Sequence, residues 1–122
     1  MEFPKTRKDG TFSFDAVFAL EPGHGFGGEQ FAVWLADWKT RSSPWVREWS
    51  SGKTEVLKFE NVFDSVPELV DVNSDSATLR FKGKADRKIW KEWFVRLSGD
   101  LIREQASVTR LDSCKDSGPD VC

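Results

Sequence analysis

The chain has no tyrosine, one methionine, one histidine and two cysteines among its 122 residues. Each scarcity removes a class of chemistry. With His24 as the sole histidine, no centre built on two imidazoles can be assembled from this chain alone. Cys114 and Cys122 both lie at the C-terminal end, separated by seven residues rich in Asp, Ser, Gly and Pro. A bond between them would close only that stretch and stabilise no core, so composition favours two free thiols. The strained G-x-S-x-G turn of a nucleophilic serine is missing. No window approaches the roughly 18 apolar residues of a membrane helix. The opening residues Met1 to Lys8 lack the apolar run of a secretory leader. The expectation is a cytoplasmic protein with no metal, no cofactor, no membrane contact and no assigned catalytic residue.

What the chain does have is bulk. Ten Phe and six Trp sit in a composition of 39% hydrophobic and 31% charged residues, which is that of a folded domain. One domain of this length buries enough surface for its own core. We expect a flexible N-terminus over residues 1–10, one α+β domain over 11–111, and a disordered acidic tail over 112–122.

Period two dominates the first half. From Thr11 to Leu20, Phe12, Phe14, Ala16, Phe18 and Leu20 alternate with Ser13, Asp15, Val17 and Ala19, the mark of a strand with one deeply buried face. Trp45 to Ser50 and Thr54 to Asn61 read as a hairpin around Ser50-Ser51-Gly52-Lys53. Pro67 demotes residues 62–73 to an edge strand or a loop. Ser76 to Lys82 alternates again until Gly83 breaks it, and Ala106 to Leu111 reads as a short last strand.

Two segments follow the helical period instead. Phe31, Trp34, Leu35 and Trp38 form one stripe within Glu29 to Arg41, which Pro44 terminates. Trp90, Trp93, Phe94, Leu97 and Leu101 form another, with Asp86 as N-cap of a helix reaching about Gln105 and Gly99 as a point of bending or early termination. The order predicts an α+β fold. A mostly antiparallel sheet of four to six strands carries two amphipathic, Trp-rich helices on one face, an order that a ferredoxin-like split βαβ arrangement permits.

Charge is unevenly placed although the net is only −2. Residues 55–75 carry Glu55, Glu60, Asp64, Glu68, Asp71 and Asp75 against Lys58 alone, a net of −5. Residues 79–103 carry eight Lys and Arg against Asp86, Glu92 and Asp100, a net of +5. The acidic segment suits docking on a basic protein surface, where steering makes association fast. Trp45 and Trp49 would flank Arg47 on a strand, a ladder suited to anchoring a partner. The leading expectation is therefore a non-catalytic protein-binding module, a small acidic inhibitor or immunity-type protein.

Two alternatives remain. Gly23, Gly25 and Gly28 satisfy G-x-G-x-x-G between a strand and a helix, the setting of a phosphate or nucleotide loop. Glu29 would set a carboxylate beside the bound phosphate, and no Val/Ile-rich parallel strand follows. His24 in that loop is the group an enzyme would use. Lys82, Lys84, Arg87, Lys88 and Lys91 could instead hold a phosphate backbone, but a pI near 5.4 and the lack of an RNP-type sequence disfavour nucleic acid.

Overall fold

The period-two segment becomes strand β1 (Thr11–Leu20), and its exposure alternates residue by residue as the sequence requires. In the computed structural model, which describes residues 3–20, 33–38, 45–48, 50–64, 67–73, 75–103, 106–112, 114 and 121–122, β1 is followed by a helical segment, α1 (33–38). The hairpin β2 (Trp45–Glu48) and β3 (Thr54–Leu57) comes next, then a 3-10 turn (Phe59–Asn61). The chain continues through β4 (Glu68–Val72), β5 (Ser76–Lys84), α2 (Arg87–Arg103) and β6 (Ala106–Asp112).

Four strands form one antiparallel sheet in the order β4-β5-β1-β6, and β2 and β3 form a separate pair. The fold is α+β, with both helices contributing to one core on a single face of the sheet. β1 lies between β5 and β6, so the β5–α2–β6 connection passes over it, an order compatible with a ferredoxin-like arrangement.

Aromatic rings fill that core. Phe14 of β1 stacks on Phe81 of β5 at 5.0 Å between centroids and meets Trp90 at 4.9 Å and Phe94 at 5.3 Å. Burying a side chain of this size contributes roughly 1.5–3 kcal/mol, so this group outweighs any surface contact in the molecule. The helical stripe of α2 is buried as its spacing predicts, and the Asp86 carboxylate accepts the Ile89 N–H at 3.0 Å as its cap. From α1, Leu35 and Trp38 are buried, and Trp38 packs edge-on against Trp93 at 6.0 Å. Phe31, from the same expected stripe, lies outside the described residues.

The structure corrects the sequence reading in four places. β3 stops at Leu57, because the Asn61 side chain accepts the Lys58 N–H at 2.9 Å and turns the chain. That turn sinks Phe59 and Phe63 together at 4.9 Å. Gly83 does not break β5. It is where β5 meets Phe63 in a bridge, and a Cβ there would fall 2.8 Å from the Phe12 ring and 2.9 Å from the Phe63 Cα, and closer still to the Val62 carbonyl oxygen. Gly99 does not end α2, which runs on to Arg103.

The fourth correction concerns both termini. The start expected to be loose carries buried contacts. Pro4 and Thr6 are buried, and Phe3 meets Phe94 edge-on at 5.8 Å. Arg87 of α2 donates to the Pro4 carbonyl at 3.3 Å, and the Trp90 indole N–H donates to the Thr6 hydroxyl at 2.8 Å. The other end of the chain returns to the same segment. The Lys5 N–H donates to the Cys114 carbonyl, Thr6 forms a parallel bridge with Val121, and the Cys122 N–H donates to the Thr6 carbonyl at 3.2 Å. Cys114 and Cys122 are disulfide-bonded, not free. β6 delivers the first beside Lys5, and pairing with Thr6 brings the second back.

Two tests follow from these contacts. Gly83→Ala should cost about 1–3 kcal/mol or more through overpacking, whereas Gly99→Ala, whose Cβ meets nothing within 4 Å, should gain up to about 1 kcal/mol; urea unfolding of both variants reads the opposite signs. Thr6→Val should cost about 1–3 kcal/mol by orphaning the buried Trp90 N–H, and Thr6→Ser should restore most of it.

Candidate functional site

Among the described residues the sheet has one covered face and one open face, and two bulges decide what the open face presents. On β4, Leu69 stands opposite Leu79 and Asp71 opposite Thr78, so Val70 is the extra residue. Without it Asp71 would share the inward face of Leu69; with it Asp71 joins Glu68 on the open side. On β6 the register shifts so that Val108 pairs with Phe18 and Arg110 with Val17. Thr109 is the extra residue, and its hydroxyl donates to the Val17 carbonyl at 3.0 Å. This shift lets both Val108 and Leu111 face the core.

A row of charges then crosses the open face. Glu68 stands opposite Arg80, Arg80 opposite Asp15, and Asp15 opposite Asp112. Arg80 grips Asp15 with a two-point fork, Nε at 2.8 Å and Nη2 at 3.1 Å. The Asp15 hydrogen bond and charge, helped by Glu68, push the Arg80 pKa above its ordinary value. Arg110 pairs with Asp112 at 3.3 Å. Beside this row, Lys82 stands opposite Ser13, and a recess of about 410 Å³ is lined by Arg7, Ser13, Phe14, Asp15, Arg80, Lys82 and Asp112.

The six acidic residues singled out by sequence fall in three places. Glu55 is exposed on the hairpin, opposite Arg47. Glu60 and Asp64 are exposed in and just after the 3-10 turn. Glu68 and Asp71 lie on β4, and Asp75 is exposed in the turn into β5. β4 is an outermost strand, and among the described residues nothing pairs with its free edge. Val70 at 37% and Val72 at 40% relative exposure leave apolar surface beside these carboxylates.

The basic run divides. Arg87 is committed to the Pro4 and Phe3 carbonyls, and the Lys91 ammonium sits 4.8 Å from the Phe3 ring centroid. Lys82 and Lys84 are exposed on β5, and Lys88 is exposed on α2. Acidic and basic segments partly neutralise each other where Glu68 faces Arg80. Of the aromatic ladder, the backbone sets Trp45 opposite Leu57; the side chains of Trp45 and Arg47 and the whole of Trp49 lie outside the described residues. So do Gly23, His24, Gly25 and Gly28.

Sequence reasoning missed Asp15, Arg110, Asp112 and Arg7 as members of this surface. The alternation of β1 already put Asp15 on the polar side. The two bulges leave no such mark, and Arg7 joins the face only through the fold. Among the described residues no three His, Cys, Asp or Glu side chains gather as a metal site, and no helix is long and apolar enough to cross a membrane. Comparison with protein-family models, with curated proteins and with solved structures finds no match.

Where the chain enters β1, Asp9 accepts the Thr11 hydroxyl at 2.6 Å and the Thr11 N–H at 2.9 Å. These bonds, the hydroxyl foremost, hold its carboxyl below the ordinary value of 3.8. A depressed carboxylate contributes stability above its unfolded pKa and loses it as pH falls through the folded one. Wild type should therefore exceed Asp9→Asn in stability at about pH 7, with the gap closing as pH falls through the lowered pKa of the folded Asp9 carboxyl; urea midpoints of both proteins across an acid pH series check it.

Proposed function

We propose that this chain is a non-catalytic protein-binding module of the inhibitor or immunity type, docking on a basic partner through the acidic edge of its sheet. The observation that supports the reading is β4. It joins a free backbone edge, the carboxylates of Glu68, Asp71 and Asp75, and the exposed Val70 and Val72 on one strand and its turn. A free edge offers main-chain hydrogen bonds to a partner's strand. The carboxylates steer a basic partner toward it and discourage pairing with a second copy of the same acidic edge. Glu55, Glu60 and Asp64 extend the acidic surface, and Trp45 and Trp49 are the anchors of the same reading. A cytoplasmic setting belongs to it and is weighed against the Cys114–Cys122 bond, since disulfides persist chiefly in oxidising compartments.

One observation bears on the nucleic-acid alternative. Phe12, Phe14, Phe18 and Phe81 all face the core, so these rings give the open face no stacking platform for bases. The nucleotide alternative rests on Gly23 to Gly28 alone.

The reading is tested by capture from host lysate with tagged wild type and Asp71→Lys/Asp75→Lys, after thermal melts show that both are folded. Wild type should retain one stoichiometric basic protein that leaves at high salt, and the double variant should bind it at least about tenfold more weakly. Equal capture by the folded variant sinks the acidic-edge reading.

A further inference from the structure

We propose that the recess on the open sheet face binds a phosphorylated polyhydroxy compound of sugar-phosphate type. This site shares the open face with β4, whose Glu68 stands opposite its Arg80, but it does not depend on the protein-binding reading. Seven residues line a space of about 410 Å³, within the range of small-ligand sites.

The polar groups of the recess divide into two ends. At one end are Arg7, Lys82 and the Ser13 hydroxyl. Ser13 and Lys82 stand opposite each other across β1 and β5, and both cations are exposed. Among the described residues neither Arg7 nor Lys82 has an ion-pair partner. A guanidinium fork, an ammonium and a hydroxyl form a donor set matched to a tetrahedral oxyanion.

At the other end, Asp15 and Asp112 face each other across β1 and β6. Like charges placed directly opposite are destabilising, and here each is held by its own arginine. Arg80 forks onto Asp15, and Arg110 pairs with Asp112. The fork takes both Asp15 oxygens and Arg110 takes Asp112 Oδ2, which leaves Asp112 Oδ1 as the acceptor suited to a hydroxyl donor. The recess is thus cationic and donating at one end, and at the other its carboxylates are charge-balanced by Arg80 and Arg110, with one oxygen left to accept.

The floor decides between ligand classes. Phe14 lines the recess, but its side chain is 1% exposed and turned into the core. Among the described residues no aromatic face is offered for a base to stack on, which separates this site from a nucleotide or single-strand site. A phosphate on a chain or ring of hydroxyl groups satisfies both ends at once.

The test is titration of the full chain with ribose 5-phosphate, inorganic phosphate, ribose and adenosine 5′-monophosphate, followed by amide NMR shifts. Ribose 5-phosphate should give saturable shifts centred on Arg7, Ser13 and Lys82. Arg7→Gln/Lys82→Gln should weaken it at least about tenfold with the melting temperature unchanged. Asp112→Asn should bring ribose 5-phosphate down toward inorganic phosphate. The absence of saturable shifts with ribose 5-phosphate overturns the proposal, as does binding unaffected by the Arg7/Lys82 double variant. Inorganic phosphate binding as tightly as ribose 5-phosphate overturns the polyhydroxy class, and tighter binding of the nucleotide overturns it in favour of base recognition. Neither double variant touches the other's surface, so failure here leaves the β4 reading standing, and the converse holds.

Discussion

Everything in this fold depends on the inward row of β1 meeting the buried stripe of α2. Phe12, Phe14 and Phe18 lie at 2% exposure or less, and Trp90, Trp93 and Phe94 close over them at 1% or less. A strand with aromatics at every second position cannot leave that face in water, and a helix with tryptophan three residues from tryptophan cannot either. Each solves the other's burial. β5 and β6 flank β1 because they complete the same inward surface with Ala77, Leu79, Phe81 and Leu111. The termini are drawn in for the same reason, since the Trp90 indole needs an acceptor and Thr6 supplies it.

The open face is set by that burial. Once the inward residues are fixed, Ser13, Asp15, Arg80, Lys82 and Asp112 have only the opposite side to occupy. The bulges at Val70 and Thr109 adjust the count so that acidic residues at the β4 edge and paired charges at β6 share one surface. One strand-and-helix core thus leaves an outer face with an acidic edge and a polar recess.

Much of this was legible along the chain, and the reasons for success and failure are physical. β1 begins and ends where its alternation does, and α2 shows its stripe because period and burial agree over four turns. Asp86 is legible as a cap because its chemistry is local. Gly83 misled because its sequence signature, a glycine closing an alternating run, is the same for a strand end and for a close approach by Phe63 from twenty residues away. The Cys114–Cys122 bond was illegible because pairing with Lys5 and Thr6 depends on residues over a hundred positions away. The acidic segment was legible as charge, but its division among hairpin, turn and edge strand was not, since the chain reverses direction several times between Glu55 and Asp75.

The position of β1 has a consequence in time. It is the first strand in the sequence, yet its partners β5 and β6 begin at Ser76 and Ala106. Contacts so distant in sequence form late and make folding slow. As the chain leaves the ribosome, its most aromatic strand must wait, unpaired on both edges, while most of the domain is still being made. During that interval Phe12, Phe14 and Phe18 are an exposed adhesive surface of the kind that chaperones cover. The centre of the finished fold is therefore the point of greatest hazard in the nascent one.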